Sequence, residues 1–342
     1  MARAHTPDFE QFLKVLRRSG KPSHLPFYEH IASPGFIARR TGTDFQKMRP
    51  DDPEYWRTYV NFWLGLGFDC VPMEIAPAFA LPPGHGATTE SSEARVVIRT
   101  MRDFESFPWP SEESPIDFRP FAIVAGMLPE GAKIAGGVCA GIYEWASVMM
   151  GTIGMSYALA DDPELVELVF AKIGSLHVSA VRQLATMDAI GALRQGDDLG
   201  FKTSTFLSPP LLRKLVFPVY VKMVAEAHKN GKPFILHSCG NLAEVYEDLI
   251  EVCKFDAKHS FEDGILPVAD FKRQYGRRIT PLGGLDVDVI CRSGEKELRA
   301  YARRIIDECF ADGWWALGTG NSLTDYMPVE NYMIVLEEGR RG

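Results

Sequence analysis

The chain has 342 residues, is 46% hydrophobic and 24% charged, and carries a formal net charge of −8. That size and composition suit a globular fold able to bury its own core. The acidic balance argues against a nucleic-acid partner, which needs an excess of Lys and Arg, and no apolar run reaches the roughly 20 residues that span a bilayer.

The N-terminus, Met1 to Asp8, lacks the apolar stretch of a signal peptide. The six cysteines, Cys70, Cys139, Cys239, Cys253, Cys291 and Cys309, are scattered rather than arrayed as a disulfide framework. We therefore expect a cytoplasmic protein with free thiols and no membrane partner.

In chain order, the spacing of Phe9, Phe12, Leu13 and Leu16 predicts a first helix over about Pro7–Arg18, with Thr6 as its cap. Residues 25–30 read as a strand, 53–66 as a helix and 68–74 as a strand. Residues 76–120 are broken by repeated Pro and Gly; they read as an irregular insertion over a barrel mouth, with a hairpin from Thr88 to Met101. From residue 133 the rhythm is regular. Strands are expected at 133–138, 189–196, 233–237, 256–259, 279–284 and 314–318. Helices are expected at 141–152, 161–187, 209–229, 242–252, 266–275 and 295–311.

This alternation of about eight strands with helices predicts a parallel α/β sheet closed into a single (β/α)₈ TIM barrel covering residues 1–342. Polar residues fall just after the strands: Glu29, Glu74, Asp197 and Asp198, His237 and Cys239, His259 and Glu262, Asp286, Thr319 and Asn321. In a barrel these positions converge on one face. No glycine-rich dinucleotide fingerprint follows an early strand, which weakens an open-sheet alternative.

His237-Ser238-Cys239-Gly240 is the sharpest local signal. Two residues apart on an extended chain, His237 and Cys239 point to one side and could share a zinc ion. The plain alternative is a core cysteine beside a hydrogen-bonded histidine. Asp198, His259 and Glu262 are acid/base candidates, and Asp197 and Asp286 could equally be helix caps. Glu144 and Trp145 could line a ligand pocket. Glu29, paired in sequence with His30, reads either as a surface ion-pair member or as a third, reversible metal ligand.

Taken together, Asp162-Pro163-Glu164-Leu165, Gln195-Gly196-Asp197-Asp198, Lys232 to Asn241, His259-Ser260-Phe261-Glu262, Lys272-x-x-Tyr275-Gly276, Gly283-Gly284-Leu285-Asp286 and Pro328-x-Glu330-Asn331 resemble the uroporphyrinogen decarboxylase superfamily. The resemblance is strongest over about 140–335. The arginine-rich segment that decarboxylases place after their first strand is replaced here by Tyr28-Glu29-His30-Ile31-Ala32-Ser33, and Thr319 stands where they carry a histidine.

The branch of methylcobamide:coenzyme M methyltransferases fits better. The resemblance implies zinc on His237 and Cys239, joined by Glu29, and a methyl group exchanged between a small-molecule donor or acceptor and a corrinoid (methylcobamide) cofactor on a separate corrinoid protein. Asp198, His259 and Glu262 would then be catalytic, with Glu74, Asp197, Asp286, Thr319 and Asn321 around the substrate. The family's third zinc cysteine is replaced by Thr319. Such barrels often dimerise, so a homodimer is expected. Two alternatives stand: a metal-free lyase acting on another carboxylated substrate, and a catalytically silent ligand-binding barrel.

Overall fold

The computed structural model describes residues 5–82, 93 and 95–341. Six strands, β1 (Cys70–Ile75), β2 (Lys133–Val138), β3 (Ile190–Gly196), β4 (Phe234–His237), β5 (Ala257–His259) and β6 (Thr280–Leu282), lie side by side in chain order. Every neighbouring pair is parallel. Parallel partners are reached only through crossovers, which here are the helices that the periodicity predicts.

Two further segments continue the circle without forming ladders. Ala316 and Thr319 bridge Leu282 and Leu285, while Leu317 and Leu323 bridge Phe27 and Ala32. Tyr28 N–H donates to the Leu317 carbonyl at 2.9 Å, and Leu317 N–H to that of Pro26 at 2.9 Å. The expected strands at 25–30 and 314–318 are thus single-bridge segments. Between residues 27–30 and β1 no backbone bridge occurs among the described residues. Side chains close that seam instead: His30 Nε2 lies 3.8 Å from Glu74 Oε2.

Eight strand positions meet inside. Tyr28, Cys70, Ala135, Ala192, Ile235, Ala257, Leu282 and Ala316 form one buried cluster with Phe9, Phe12, Val15 and Leu16 of the helix Phe9–Arg17. The small strand residues let the barrel interior fill with side chains rather than form a pore. The helix plugs its floor, with Phe12 stacked on Tyr28 at 5.6 Å. This is a (β/α)₈ barrel.

Local chemistry explains the departures. The first helix is capped by Asp8, which accepts from Glu10 N–H, not by Thr6. The run expected at 161–187 forms Pro163–Ala185, capped by Asp162 where it starts at a proline, and a separate helix, Thr152–Asp161, precedes it where none was expected. The helix at 209–229 breaks at Val216 before Phe217-Pro218, where proline has no N–H to give the preceding turn. Residues 242–252 form a 3₁₀ turn and a π turn rather than an α-helix. Helices at Pro34–Thr41 and Val329–Arg340 were not expected, while the helix Val287–Arg292 follows Asp286, which was read as a helix cap. Part of the hairpin expected from Thr88 to Met101, residues 88–92 and 94, lies outside the described residues. Its described part is no strand: Val97 and Ile98 N–H both donate to the Met149 carbonyl. No helix among the described residues is long and apolar enough to cross a membrane.

Candidate functional site

The site is built at the C-terminal ends of β3, β4 and β5, the face where barrel enzymes place their chemistry. β4 ends at His237 and β5 at His259, in register with one another. Asp197 and Asp198 follow β3 directly. Gly240 has a φ of +79°, and an added Cβ would stand 2.2 Å from Gly200. Glycine at 240 therefore lets the loop after β3 lie against Cys239-Gly240-Asn241, which brings Asp198 to the cysteine. Cys239 N–H donates to Asp198 Oδ1 at 2.9 Å.

A chain of hydrogen bonds fixes the histidines. His259 Nε2 lies 3.1 Å from the Thr319 carbonyl, which can only accept, so neutral His259 carries its proton there. Its bare Nδ1 then accepts from His237 Nδ1–H at 2.7 Å. His237 Nε2 is left with its lone pair, 3.5 Å from Cys239 Sγ and 3.8 Å from Asp198 Oδ1. Nitrogen, sulfur and oxygen donors of His237, Cys239 and Asp198 all lie within 4.8 Å of one another. That donor set fits zinc, and His259 supplies the outer partner that zinc-binding histidines ordinarily have.

The sulfur is well supported. Ser260 Oγ–H donates to it at 3.4 Å and Asn321 Nδ2 at 3.3 Å. Ser260 is held at a φ of +83°, a conformation that costs a non-glycine residue energy and aims its hydroxyl at Cys239. Burial, with help from Asp198, pushes the Cys239 thiol up to about 12. The sulfur therefore keeps its proton at neutral pH unless a cation joins it.

Several expected site residues are engaged elsewhere. Glu29 is not among the converging ligand atoms: its buried carboxylate accepts from Thr319 N–H at 2.7 Å and Thr319 Oγ1–H at 2.6 Å. Burial lifts it to about 8. Thr319 thus faces Glu29. Asp197 accepts from Tyr143 N–H, Glu144 N–H and Tyr220 O–H, capping the helix Ile142–Met150. Asp286 caps its own helix and accepts from Asp263 N–H. Glu74 pairs with Arg194. Among the expected substrate contacts, Asn321 touches the centre directly. Glu262 lines a narrow cleft with Gly240, Tyr246 and Ser260.

Two groups, Arg194 and Lys258, escaped the sequence reading as site members, and a third, Glu144, was read there only as a pocket-lining residue. Arg194, 1% exposed, donates from Nε to Glu74 at 3.0 Å and from Nη2 to His30 Nδ1 at 2.6 Å, while His30 stacks on His237 at 3.7 Å. Lys258 gives its ammonium protons to the carbonyls of Ser238, His259 and Ser260. Glu144, beside Asp198, is lifted to about 8 by burial and then by Asp197 and Asp198. A charged residue inside an otherwise apolar strand must be paired, and that is the signal that could have found Arg194 and Lys258.

Burial pulls His30, His177 and His259 below their ordinary 6.5, His259 to about 3. The unfolded chain takes these protons near pH 6.5 and the fold refuses them. The histidines should therefore cost up to roughly 1.4 kcal/mol of stability per pH unit each as pH drops below about 6.5, against an opposite trend from the raised Glu29 and Glu144 carboxyls. Thermal unfolding at pH 7 and pH 5, compared between wild type and His177→Gln, isolates the histidine part; the same pH dependence in both would contradict it.

Comparison with known proteins agrees with the fold. A methyltransferase from Methanosarcina mazei superposes with a TM-score of 0.75 at 15% identity, covering 97% of each chain. An intracellular xylanase from Thermoanaerobacterium saccharolyticum gives only 0.44 at 10% identity, covering 94% of this chain and 91% of its own, and has no bearing on the fold. No curated protein sequence matches. The family model for uroporphyrinogen decarboxylase matches residues 64–341, a span that holds the mouth-face cluster at β3, β4 and β5, and the chain belongs to the uroporphyrinogen decarboxylase family.

Proposed function

We propose that the protein is a methyltransferase that moves a methyl group between a small molecule and a corrinoid carried by a partner protein, with zinc held by His237, Cys239 and Asp198. The observation that carries the zinc site is the bare His237 Nε2 converging with Cys239 Sγ and Asp198 Oδ1. The methyltransferase of similar fold supports the class. In place of the third cysteine that Thr319 does not supply, Asp198 offers a carboxylate, a weaker and more exchangeable ligand.

Zinc, when bound, would act as a Lewis acid that lowers the pKa of a thiol presented to it. The protein's own groups do the rest. Ser260 and Asn321 would stabilise negative charge on the Cys239 sulfur once a metal displaces its proton. Asp198 fixes the Cys239 backbone. Glu144, which keeps its proton at neutral pH, can deliver it to a leaving group beside Asp198. A decarboxylase acting on a polycarboxylate is less well supported, because it needs open cations. The two beside the centre, Arg194 and Lys258, are bound to Glu74 and to backbone carbonyls.

The test is to assay zinc-loaded protein with methylcobalamin and a panel of thiols, following the cobalt absorbance, and with methylated compounds and reduced cobalamin for the reverse direction. Methyl transfer lost in Asp198→Ala is expected. Absence of transfer in both directions, together with carbon dioxide release from carboxylated compounds, would sink the proposal. His259→Phe keeps a buried ring but leaves His237 Nδ1–H without its acceptor. Zinc affinity, measured by competition with a chelating dye, should fall about 10–100-fold with the fold retained.

A further inference from the structure

At the opposite end of the barrel a second group of metal-binding side chains converges. Asp69 immediately precedes β1, His24 lies between the floor helix and the first barrel segment, and His5 precedes that helix. His5 Nε2 lies 2.9 Å from Asp69 Oδ1, and His24 Nε2 2.8 Å from Asp69 Oδ2. The two rings meet edge to face at 5.2 Å, and the three donor atoms all lie within 4.8 Å of one another.

Two features argue that this is more than a hydrogen-bonded cluster. Asp69 is 1% exposed, and among the described residues no Lys or Arg pairs with it. A buried carboxylate ordinarily has a cation, which here the two imidazoles, or a metal that they share with Asp69, must supply. The histidines remain 27% and 33% exposed, so the cluster is reachable from solvent. Outer contacts are also in place: Asp8 N–H donates to Asp69 Oδ1 at 2.9 Å, and Ser23 Oγ lies 3.4 Å from His24 Nδ1.

We propose that His5, His24 and Asp69 form a second site for a divalent cation of the zinc type. Two imidazoles and one carboxylate suit Zn²⁺ or its neighbours Co²⁺ and Ni²⁺; Mg²⁺ and Ca²⁺ prefer all-oxygen sets. Binding would displace the Nε2 protons and pin the residues before the floor helix to the start of β1. The site shares no residue with the barrel mouth and stands whatever the mouth catalyses.

The experiment uses full-length, chelator-treated protein carrying Cys239→Ala, so that the mouth lacks its sulfur. Calorimetric titration with Zn²⁺ is expected to give one bound equivalent, unaffected by excess Mg²⁺. Co²⁺ should give a spectrum without a thiolate charge-transfer band. Adding His24→Gln keeps an amide donor to Asp69 but removes the metal donor, and should abolish that equivalent; His5→Gln is the second variant, acting from the other segment. No zinc bound by the Cys239→Ala protein, or binding that survives both glutamine changes, would overturn the proposal. It would leave a pair of imidazoles that simply hydrogen-bond the carboxylate.

Discussion

Cys239→Ala should reduce bound zinc at the barrel mouth from one equivalent to background and take methyl transfer with it. The sulfur is the softest donor of the three and the one on which Ser260, Asn321 and His237 converge. Its loss leaves an imidazole and a carboxylate, too few for a tight site. The effect should exceed the roughly 10–100-fold cost of changing an outer partner such as His259. Cys239→Ser separates shape from chemistry: it preserves volume and hydrogen bonding but offers a poor zinc ligand. It should fold with an unchanged Tm in the chelated state and still fail to hold the metal. Metal analysis on a His24→Gln background, which removes the second site, together with the methylcobalamin assay checks both. Retained zinc and full turnover in Cys239→Ala on that background would refute the proposed centre.

Arg194→Met is expected to be the most destabilising single change in the barrel. Arg194 and Glu74 are both largely buried, with their pair at 3.0 Å. Removing the guanidinium leaves Glu74 charged and unpaired, a loss of roughly 3–5 kcal/mol for a broken buried pair. His30 also loses its donor and the stack on His237 loses its anchor. Chemical denaturation measures the loss. The double change Arg194→Met with Glu74→Leu should recover much of it, because replacing both ions with apolar groups removes the uncompensated charge. If the double variant is no more stable than the single one, the ion pair is not the cause.

Much of the fold was legible because it rests on local signals. β2 falls on 133–138 as the apolar run predicts, and β1, β3, β4 and β5 lie within a residue or two of expectation. The first and last barrel segments were overread as strands. Their apolar runs are real, but their partners are single bridges set by ring closure, which no local pattern encodes. At the site, the pairing of His237 and Cys239 was legible from their spacing, and the nearness of Asp198 from its place after a strand, although Asp198 was read as an acid/base group and not as a metal donor. The role of Glu29 was not. Whether a carboxylate reaches a metal or turns back to Thr319 depends on an approach across 290 residues of chain. Arg194 was hidden for the same reason: its partners come from residues 30 and 74.

The seam between residues 27–30 and β1 gives the barrel a preferred line of opening. Every other junction is held by backbone hydrogen bonds, whereas this one relies on Tyr28 packed near Cys70 and on His30 near Glu74. Local opening draws on the least stable contacts. Transient parting along this line would lift His30 off His237 while leaving β4 and β5 laddered. In hydrogen-exchange experiments, the amides of β1 that face the seam should exchange sooner than those of β4, and the mouth would breathe from one side only.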